Sequence, residues 1–167
     1  MSHTQNPNLH HDDRQDRLIR ERIHDPYHSK KKLAEPTACP QCQAIYDDGR
    51  WRWGTAPADA ESELCPACQR VRDHCPAGFL TLSGEFLASH KDEILHLIRN
   101  VEQKEKAEHA QRRLMAFEEH DDGSVLATFT DPQLARAAGE AVYRAYRGEL
   151  DFAYQENEFL LRVAWHR

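Results

Sequence analysis

The sequence predicts an α+β protein: a small four-cysteine zinc ribbon or treble-clef-like lobe, followed by an αββαββ domain with an antiparallel sheet. Three observations lead to this prediction. Two Cys-x2-Cys pairs lie in a segment rich in proline and glycine. After residue 83, helical periodicity and strand-like alternation follow one another twice. The composition is polar, with 30% charged residues and a mean hydropathy of −0.83, which indicates an unevenly packed chain.

The first element to justify is the metal site, which the sequence places at Cys39, Cys42, Cys65 and Cys68. Two residues between cysteines allow one tight turn to direct both sulfurs at a single ion, and four thiolates suit tetrahedral Zn²⁺. A closed four-cysteine shell leaves no position for water, so we expect one structural zinc. Four thiolates would also fit an iron–sulfur cluster. Redox-active pairs are a further alternative, but the βαβ pattern that usually surrounds them is absent.

The remaining cysteine, Cys75, is expected to be a free thiol. No apolar run approaches the roughly 18 to 20 residues that cross a bilayer, and no signal peptide is recognisable. We therefore expect a cytoplasmic protein with no membrane partner. In a reducing compartment an odd number of cysteines favours metal ligands over disulfides.

Three regions follow from composition. Residues 1–36 form a basic, disordered N-terminal arm, with seven Lys or Arg against three Asp or Glu between positions 14 and 32. The alternative is an arm that orders on RNA or on a ribosomal surface. Residues 37–82 form the zinc-binding lobe, which has too few aliphatic residues for its own core and needs a metal. Residues 83–167 form the αββαββ domain.

The first half of this domain contains a helix over 84–107, with Ser83 as a plausible N-cap. Two strands, 112–119 and 124–130, are joined by an Asp-Asp-Gly turn.

The second half begins at Asp131, whose side chain can cap a helix that has proline at its first position. This helix ends at Gly148. Two strands then alternate in polarity, from Leu150 to Tyr154 and from Phe159 to Trp165.

The segment Arg50-Trp51-Arg52-Trp53 interleaves basic and aromatic side chains, which suits stacking on unpaired bases and neutralising phosphates. The alternative is that at least one tryptophan packs over the zinc turns. If the segment is a strand, the arginines share one face and can still contact RNA. Arg70 and Arg72 extend this surface or are merely solvated.

The other basic residues of the C-terminal domain, including Arg112 and Arg113, are expected on an ordinary solvated face. The formal charge is −6. Four thiolates with one Zn²⁺ carry a net charge of about −2 and bring the total to about −8. Such a chain is not a bulk polycation, so nucleic-acid contacts must come from local patches. No catalytic motif is present, no small-molecule substrate is indicated, and we do not expect an enzyme.

Seven segments of the chain carry a resemblance to a known family: TACPQCQAIY, GRWRWG, LCPACQRVRD, PAGFLTLSG, SHKDEI, ATFTDPQLARAAGEAVYRAYRGEL and LLRVAW. Together they resemble a bacterial family of small zinc-ribbon proteins. That family is described as related to the nonsense-mediated-decay-type export adaptor of the large ribosomal subunit. The resemblance covers roughly residues 25 to 167. It implies association with ribosomes or RNA and an effect on ribosome stability or mRNA decay. Nuclear export does not carry over to bacteria, and the adaptor has more cysteine pairs than the two present here.

Besides an enzyme that would use Cys75 or His74, for which no catalytic motif is present, two hypotheses follow. In the first, a non-catalytic zinc protein binds a ribosomal subunit or ribosomal RNA through Arg50, Trp51, Arg52 and Trp53. In the second, the zinc lobe docks a protein partner and the molecule makes no RNA contact.

Overall fold

The described part of the chain contains α-helices and β-strands, and the strands pair both parallel and antiparallel. The structure is a computed structural model and describes residues 25–28 and 32–167, so most of the predicted N-terminal arm lies outside the described residues. Within them the α+β class is confirmed. The elements, in chain order, are β1 (Thr37–Ala38), β2 (Ile45–Asp47), β3 (Arg50–Arg52), β4 (Glu61–Ser62), α1 (Pro66–Asp73), β5 (Gly78–Ser83), α2 (Glu85–Glu108), β6 (Leu114–Glu119), β7 (Val125–Phe129), α3 (Pro132–Tyr146), β8 (Glu149–Tyr154) and β9 (Leu161–His166).

The first sheet forms the lobe that we call the metal lobe, residues 37–77. Its strands have the order β3-β2-β1-β4, and β2 and β3 form a hairpin in which Tyr46 is opposite Trp51. The hairpin turn at Asp48 and Gly49 has positive φ at both residues, as two-residue hairpin loops require. Helix α1 follows, with Pro66 in its first turn. A turn, a hairpin and a helix in this sequence form a treble-clef-like arrangement.

The second sheet has the strand order β6-β7-β5-β9-β8. Its central strand, β5, differs from the sequence prediction, which places residues 78–82 in the zinc lobe. Strand β5 pairs antiparallel with β7 and parallel with β9. The domain is therefore βαββαββ with a mixed sheet, and the predicted αββαββ order with an antiparallel sheet is corrected. The segment was missed because only Leu80 and Leu82 of its six residues are buried aliphatics.

Helices α2 and α3 pack together on one face of this sheet and enclose the main core. Alternate residues of β5, β7 and β9 point into it, which is the period-2 pattern of a sheet with one covered face. The largest fully buried side chains are Trp165, Phe129, Leu80, Leu82, Leu87, Ile94, Ile98, Leu134, Leu161, Val125, Val142 and Val163.

The two long helices begin differently. The Asp131 carboxylate accepts hydrogen bonds from the N–H groups of Gln133 (2.7 Å) and Leu134 (3.2 Å), so the predicted cap of α3 is confirmed. Ser83 does not cap α2, because it is the last residue of β5, and Gly84 takes the N-cap position without a side-chain bond. Gly84 has φ 106°, and a Cβ there would collide with the carbonyl oxygen of Arg167.

The metal lobe lies against the end of α2 and the segment that follows it. The Trp53 indole N–H donates to the carbonyl oxygen of Lys106 (2.6 Å). The Ala67 N–H, at the start of α1, donates to the side-chain oxygen of Gln111 (2.9 Å). These contacts join two parts of the chain more than 40 residues apart. The division of the chain into domains stays a prediction, except that residues 78–82 lie in the five-stranded sheet.

Candidate metal centre

Two local structures position the four cysteines. Cys39 and Cys42 lie on a turn between β1 and β2, which is closed by a hydrogen bond from Gln43 N–H to the Cys39 carbonyl oxygen (2.9 Å). Cys65 is the N-cap of α1 and Cys68 lies in its first turn. Each Cys-x2-Cys pair is therefore set by a single turn of backbone, as the sequence spacing predicts.

The sulfur atoms of these four residues lie within 4.8 Å of one another, and those of Cys42 and Cys65 are 3.7 Å apart. Ligands of a regular tetrahedral site with Zn–S near 2.3 Å are about 3.8 Å apart. A disulfide would need about 2.05 Å. An iron–sulfur cluster, which places several irons and sulfides between its thiolates, needs a wider spacing. The four cysteines are thus placed to hold one metal ion.

The site is shielded from solvent and supplied with hydrogen-bond donors. Cys39, Cys65 and Cys68 are buried, whereas Cys42 is partly exposed. The Cys65 N–H donates to the sulfur of Cys39 and the Cys68 N–H donates to that of Cys65, both at 3.4 Å. Such N–H···S contacts stabilise the thiolate form, which is the form that binds metal.

The pKa values of the free thiols reflect two opposing effects. Burial raises the pKa of Cys39, but backbone N–H groups of Cys65, Cys42 and Gln41 outweigh it and lower the pKa to about 7. Burial dominates at Cys65 and Cys68 and raises their pKa values, although hydrogen bonding opposes it. Deprotonation of Cys65 and Cys68 therefore needs a strong compensating positive charge, such as a bound cation.

One residue at the site was missed by the sequence analysis. Arg113, expected on a solvated face, is buried, with 9% of its surface exposed. Its guanidinium donates to the sulfur atoms of Cys68 (3.1 Å) and Cys42 (3.0 Å), and lies 3.6 Å from that of Cys65. Burial disfavours the cation, but the three sulfur atoms outweigh it and raise the Arg113 pKa. No local signal distinguishes Arg113 from Arg112, because the contact spans 45 and 71 residues of chain.

Gln111 is a second residue that the sequence did not indicate. Its side-chain oxygen holds the first turn of α1, and its buried side-chain nitrogen has no nitrogen or oxygen partner among the described residues. Gln111 therefore belongs to the surroundings of the metal centre.

The residues predicted to contact RNA are not all exposed. Arg50 and Arg52 are exposed on β3, whereas Trp51 is half-buried and packs against the cysteine cluster. Trp53 is also half-buried, and its ring lies 5.6 Å from the guanidinium carbon of Arg113. Arg52 forms an ion pair with Asp47. These contacts support the alternative hypothesis for the tryptophans, in which they pack at the cysteine site.

Arg70 requires a correction, because it is not on the surface. Its side chain is 4% exposed, donates to Asp25 (2.7 Å) and lies over the ring of Tyr27 at 4.4 Å. Residues 25–28 of the N-terminal arm are therefore attached to α1. Arg72 is exposed and pairs with the neighbouring Asp73 at 2.7 Å.

A groove of about 490 Å³ runs between β3 and the end of α2. Trp51 forms part of its lining, and Arg50, Arg52, His109 and Arg112 surround it together with Glu108 and Asp131. A second cavity, of about 280 Å³, shares Trp51 with this groove, and Tyr27, Tyr46 and Phe159 also line it. Cys75 and His74 are exposed, and neither belongs to a metal-type cluster among the described residues.

The fold and the cysteine cluster together define an α+β protein with a candidate mononuclear metal centre between two sheets. No family model, curated protein or solved structure matches the chain. In the described ranges, none of the helices combines the length and the apolar character that a membrane span needs.

Proposed function

We propose that Cys39, Cys42, Cys65 and Cys68 bind one structural Zn²⁺. The observation that supports this most directly is the grouping of their sulfur atoms within 4.8 Å. When bound, the ion supplies four bonds that hold the turn after β1 against the start of α1. All four positions of a tetrahedral shell would be filled by protein, so no position is left on the ion for a substrate, and the role that we propose for the protein is non-catalytic.

Metal analysis of the purified chain tests this proposal. We expect one zinc per chain by native mass spectrometry and elemental analysis, and less than about a tenth of that in Cys42→Ser, because a site that loses a ligand binds metal far more weakly. Cys75→Ser is the matched control, because Cys75 is an exposed cysteine outside the cluster, and it should keep one zinc. Iron in place of zinc, or equal metal content in all three proteins, would contradict the proposal.

We further propose that the protein acts in the cytoplasm and associates with ribosomes or ribosomal RNA. Through this association it would affect ribosome stability or mRNA decay. The groove beside β3 supports the RNA contact. It combines three arginines with the half-buried Trp51, and its volume of about 490 Å³ accommodates an unpaired base. Base stacking on an aromatic ring contributes about 1–3 kcal/mol per base.

Of the three arginines in the groove, Arg50 is the one best placed to bind a phosphate. Arg50 makes no ion pair with another described residue, so its guanidinium is available to an incoming anion. Arg112 is already held by Glu105 at 2.6 Å, and Arg52 by Asp47. The proposed RNA contact therefore depends chiefly on Arg50 and the exposed part of Trp51, with Arg52 exchanging its carboxylate for a phosphate.

Sedimentation with ribosomal subunits tests the association. We expect Arg50→Ala combined with Arg52→Ala to reduce co-sedimentation at low salt by at least about tenfold, and to lower the slope of log affinity against log salt by about 1.4 for single-stranded RNA. The matched control is Arg99→Ala with Arg144→Ala, which removes two exposed arginines outside the groove. Unbound wild-type protein at low salt would contradict the association.

A protein–protein adaptor is the second candidate, and the pairing of basic residues favours it. Arg52 and Arg72 both have carboxylate partners within the metal lobe, which reduces the free positive charge there. An adaptor should tolerate the double arginine variant and keep its partner after ribonuclease treatment. An RNA-dependent association should be lost under both conditions.

A further inference from the structure

Arg113 connects the metal centre to the βαββαββ domain. It lies between α2 and β6, and its backbone is fixed by Thr130: the Arg113 N–H donates to the Thr130 hydroxyl, and the Thr130 N–H donates to the Arg113 carbonyl oxygen, both at 2.9 Å. The side chain is fixed as well, because its Nε–H donates to the Ala110 carbonyl oxygen (2.9 Å). These three bonds are made within the C-terminal domain and do not involve the metal lobe.

The far end of the same side chain reaches the metal lobe. One terminal nitrogen donates to Cys68, from the second cysteine pair, and the other donates to Cys42, from the first pair. A guanidinium presents diverging N–H groups in one plane, so a single arginine can contact both pairs at once. A lysine ammonium is a compact donor on a flexible stem and does not offer the same fixed fork.

We propose that Arg113 is a positioning residue that strengthens metal binding by the four cysteines and seats the metal lobe on the βαββαββ domain. This inference rests on the proposed zinc site. Four thiolates around Zn²⁺ carry a net charge of about −2 in a largely buried place, and one guanidinium reduces this to about −1. The compensation is effective because charges interact more strongly away from water.

The consequence is that the metal affinity depends on a residue outside the metal lobe. Residues that hydrogen-bond to metal ligands typically change the affinity about 10- to 100-fold when they are replaced. Arg113 also contacts Trp53, whose indole N–H is bonded to Lys106 of α2. Loss of the guanidinium therefore weakens the site and the contact between the lobe and the domain together.

Competition with a zinc chelator on the full chain tests the proposal. We expect Arg113→Gln to lower the Zn²⁺ affinity about 10- to 100-fold. Arg113→Lys, which keeps the charge and loses the fork, should lie between Arg113→Gln and the wild type. Arg144→Gln is the matched control, because Arg144 is an exposed arginine on α3, and its affinity should stay within about twofold of wild type.

A spectroscopic measurement separates a direct effect on sulfur from a general loss of packing. Hydrogen bonds to thiolates lower the energy of the sulfur electrons, so removing them should move the sulfur-to-metal charge-transfer bands of the Co²⁺-substituted protein to longer wavelength. We expect this shift in Arg113→Lys and Arg113→Gln and not in Arg144→Gln. If Arg113→Gln does not fold, Arg113→Lys alone carries both measurements.

The outcomes distinguish this inference from the zinc proposal. If the wild type binds zinc and the Arg113 variants match it in affinity and in spectrum, the role of Arg113 is overturned and the zinc site stands. If the wild type binds neither zinc nor cobalt, the proposed metal site fails and the inference fails with it.

Discussion

The metal lobe and the βαββαββ domain are stabilised in different ways. In the C-terminal domain, 16 buried hydrophobic residues form one cluster around Trp165 and Phe129. In the metal lobe, the buried hydrophobic cluster at the cysteine site contains Cys39, Cys65, Ala67 and Cys68, three of which are the proposed metal ligands. The domain is held by apolar burial, whereas the small cluster of the lobe requires the proposed metal to stabilise it.

Because of this difference, the surface of the metal lobe depends on its cysteine site, and the proposed RNA contact lies on that surface. The strands of the lobe have two or three residues each, and Arg50 and Arg52 are exposed on one of them. If the cysteines bind the proposed zinc, the ion acts by holding the β2–β3 hairpin and α1 in place, and not by contacting a partner itself. The lobe contacts the larger domain through Trp53, Gln111 and Arg113.

The largest expected effect is the selective loss of the metal lobe when the metal is removed. Chelation, or Cys39→Ser, should collapse the amide signals of residues 37–77 into the random-coil region of a two-dimensional NMR spectrum. The indole N–H signal of Trp165, bonded to the Arg147 carbonyl oxygen, should remain, whereas that of Trp53 should move. If both indole signals change together, the lobe and the domain unfold as one unit and the contrast between them is wrong.

A second prediction concerns the core of the domain. Leu80, on the central strand β5, is fully buried, so Leu80→Ala should lower the free energy of unfolding by about 2–5 kcal/mol. Urea denaturation followed by the indole N–H signal of Trp165, which is resolved from those of the other two tryptophans by NMR, measures this change.

The matched control for that experiment is Leu126→Ala on the adjacent strand β7. Leu126 pairs with Thr81 on the opposite face of the sheet and is only half-buried. We expect it to cost less than about half as much, because less apolar surface is lost from the core. Equal costs for the two variants would mean that both faces of the sheet are covered.

The smallest of the three effects concerns the start of α3. Asp131→Ala removes the acceptor for two backbone N–H groups and should cost about 1 kcal/mol of stability. Asp131→Asn keeps a capping oxygen and should lie within about 0.5 kcal/mol of the wild type. A large loss in Asp131→Asn would show instead that the contact of the carboxylate with Arg112, at 3.6 Å, is the important one.

The sequence by itself determined the features that depend on neighbouring residues. The spacing of Cys39 and Cys42, and of Cys65 and Cys68, predicts the two turns that place the sulfurs, because two intervening residues fit one tight turn. Asp131 before a proline predicts the start of α3 for the same local reason. Each of these features is formed by a few consecutive residues, so its physical cause can be recognised without knowing the fold.

Only the tertiary structure decided which distant segments meet. Strand β5 became the centre of the five-stranded sheet because β7 and β9 pair with it, and local alternation in β5 alone did not reveal this. Arg70 and Arg113 are arginines like Arg72 and Arg112, which are not buried, yet Asp25 lies beside one and the cysteine sulfurs lie beside the other. A buried charge requires a partner, and in both cases folding brings that partner from at least 45 residues away.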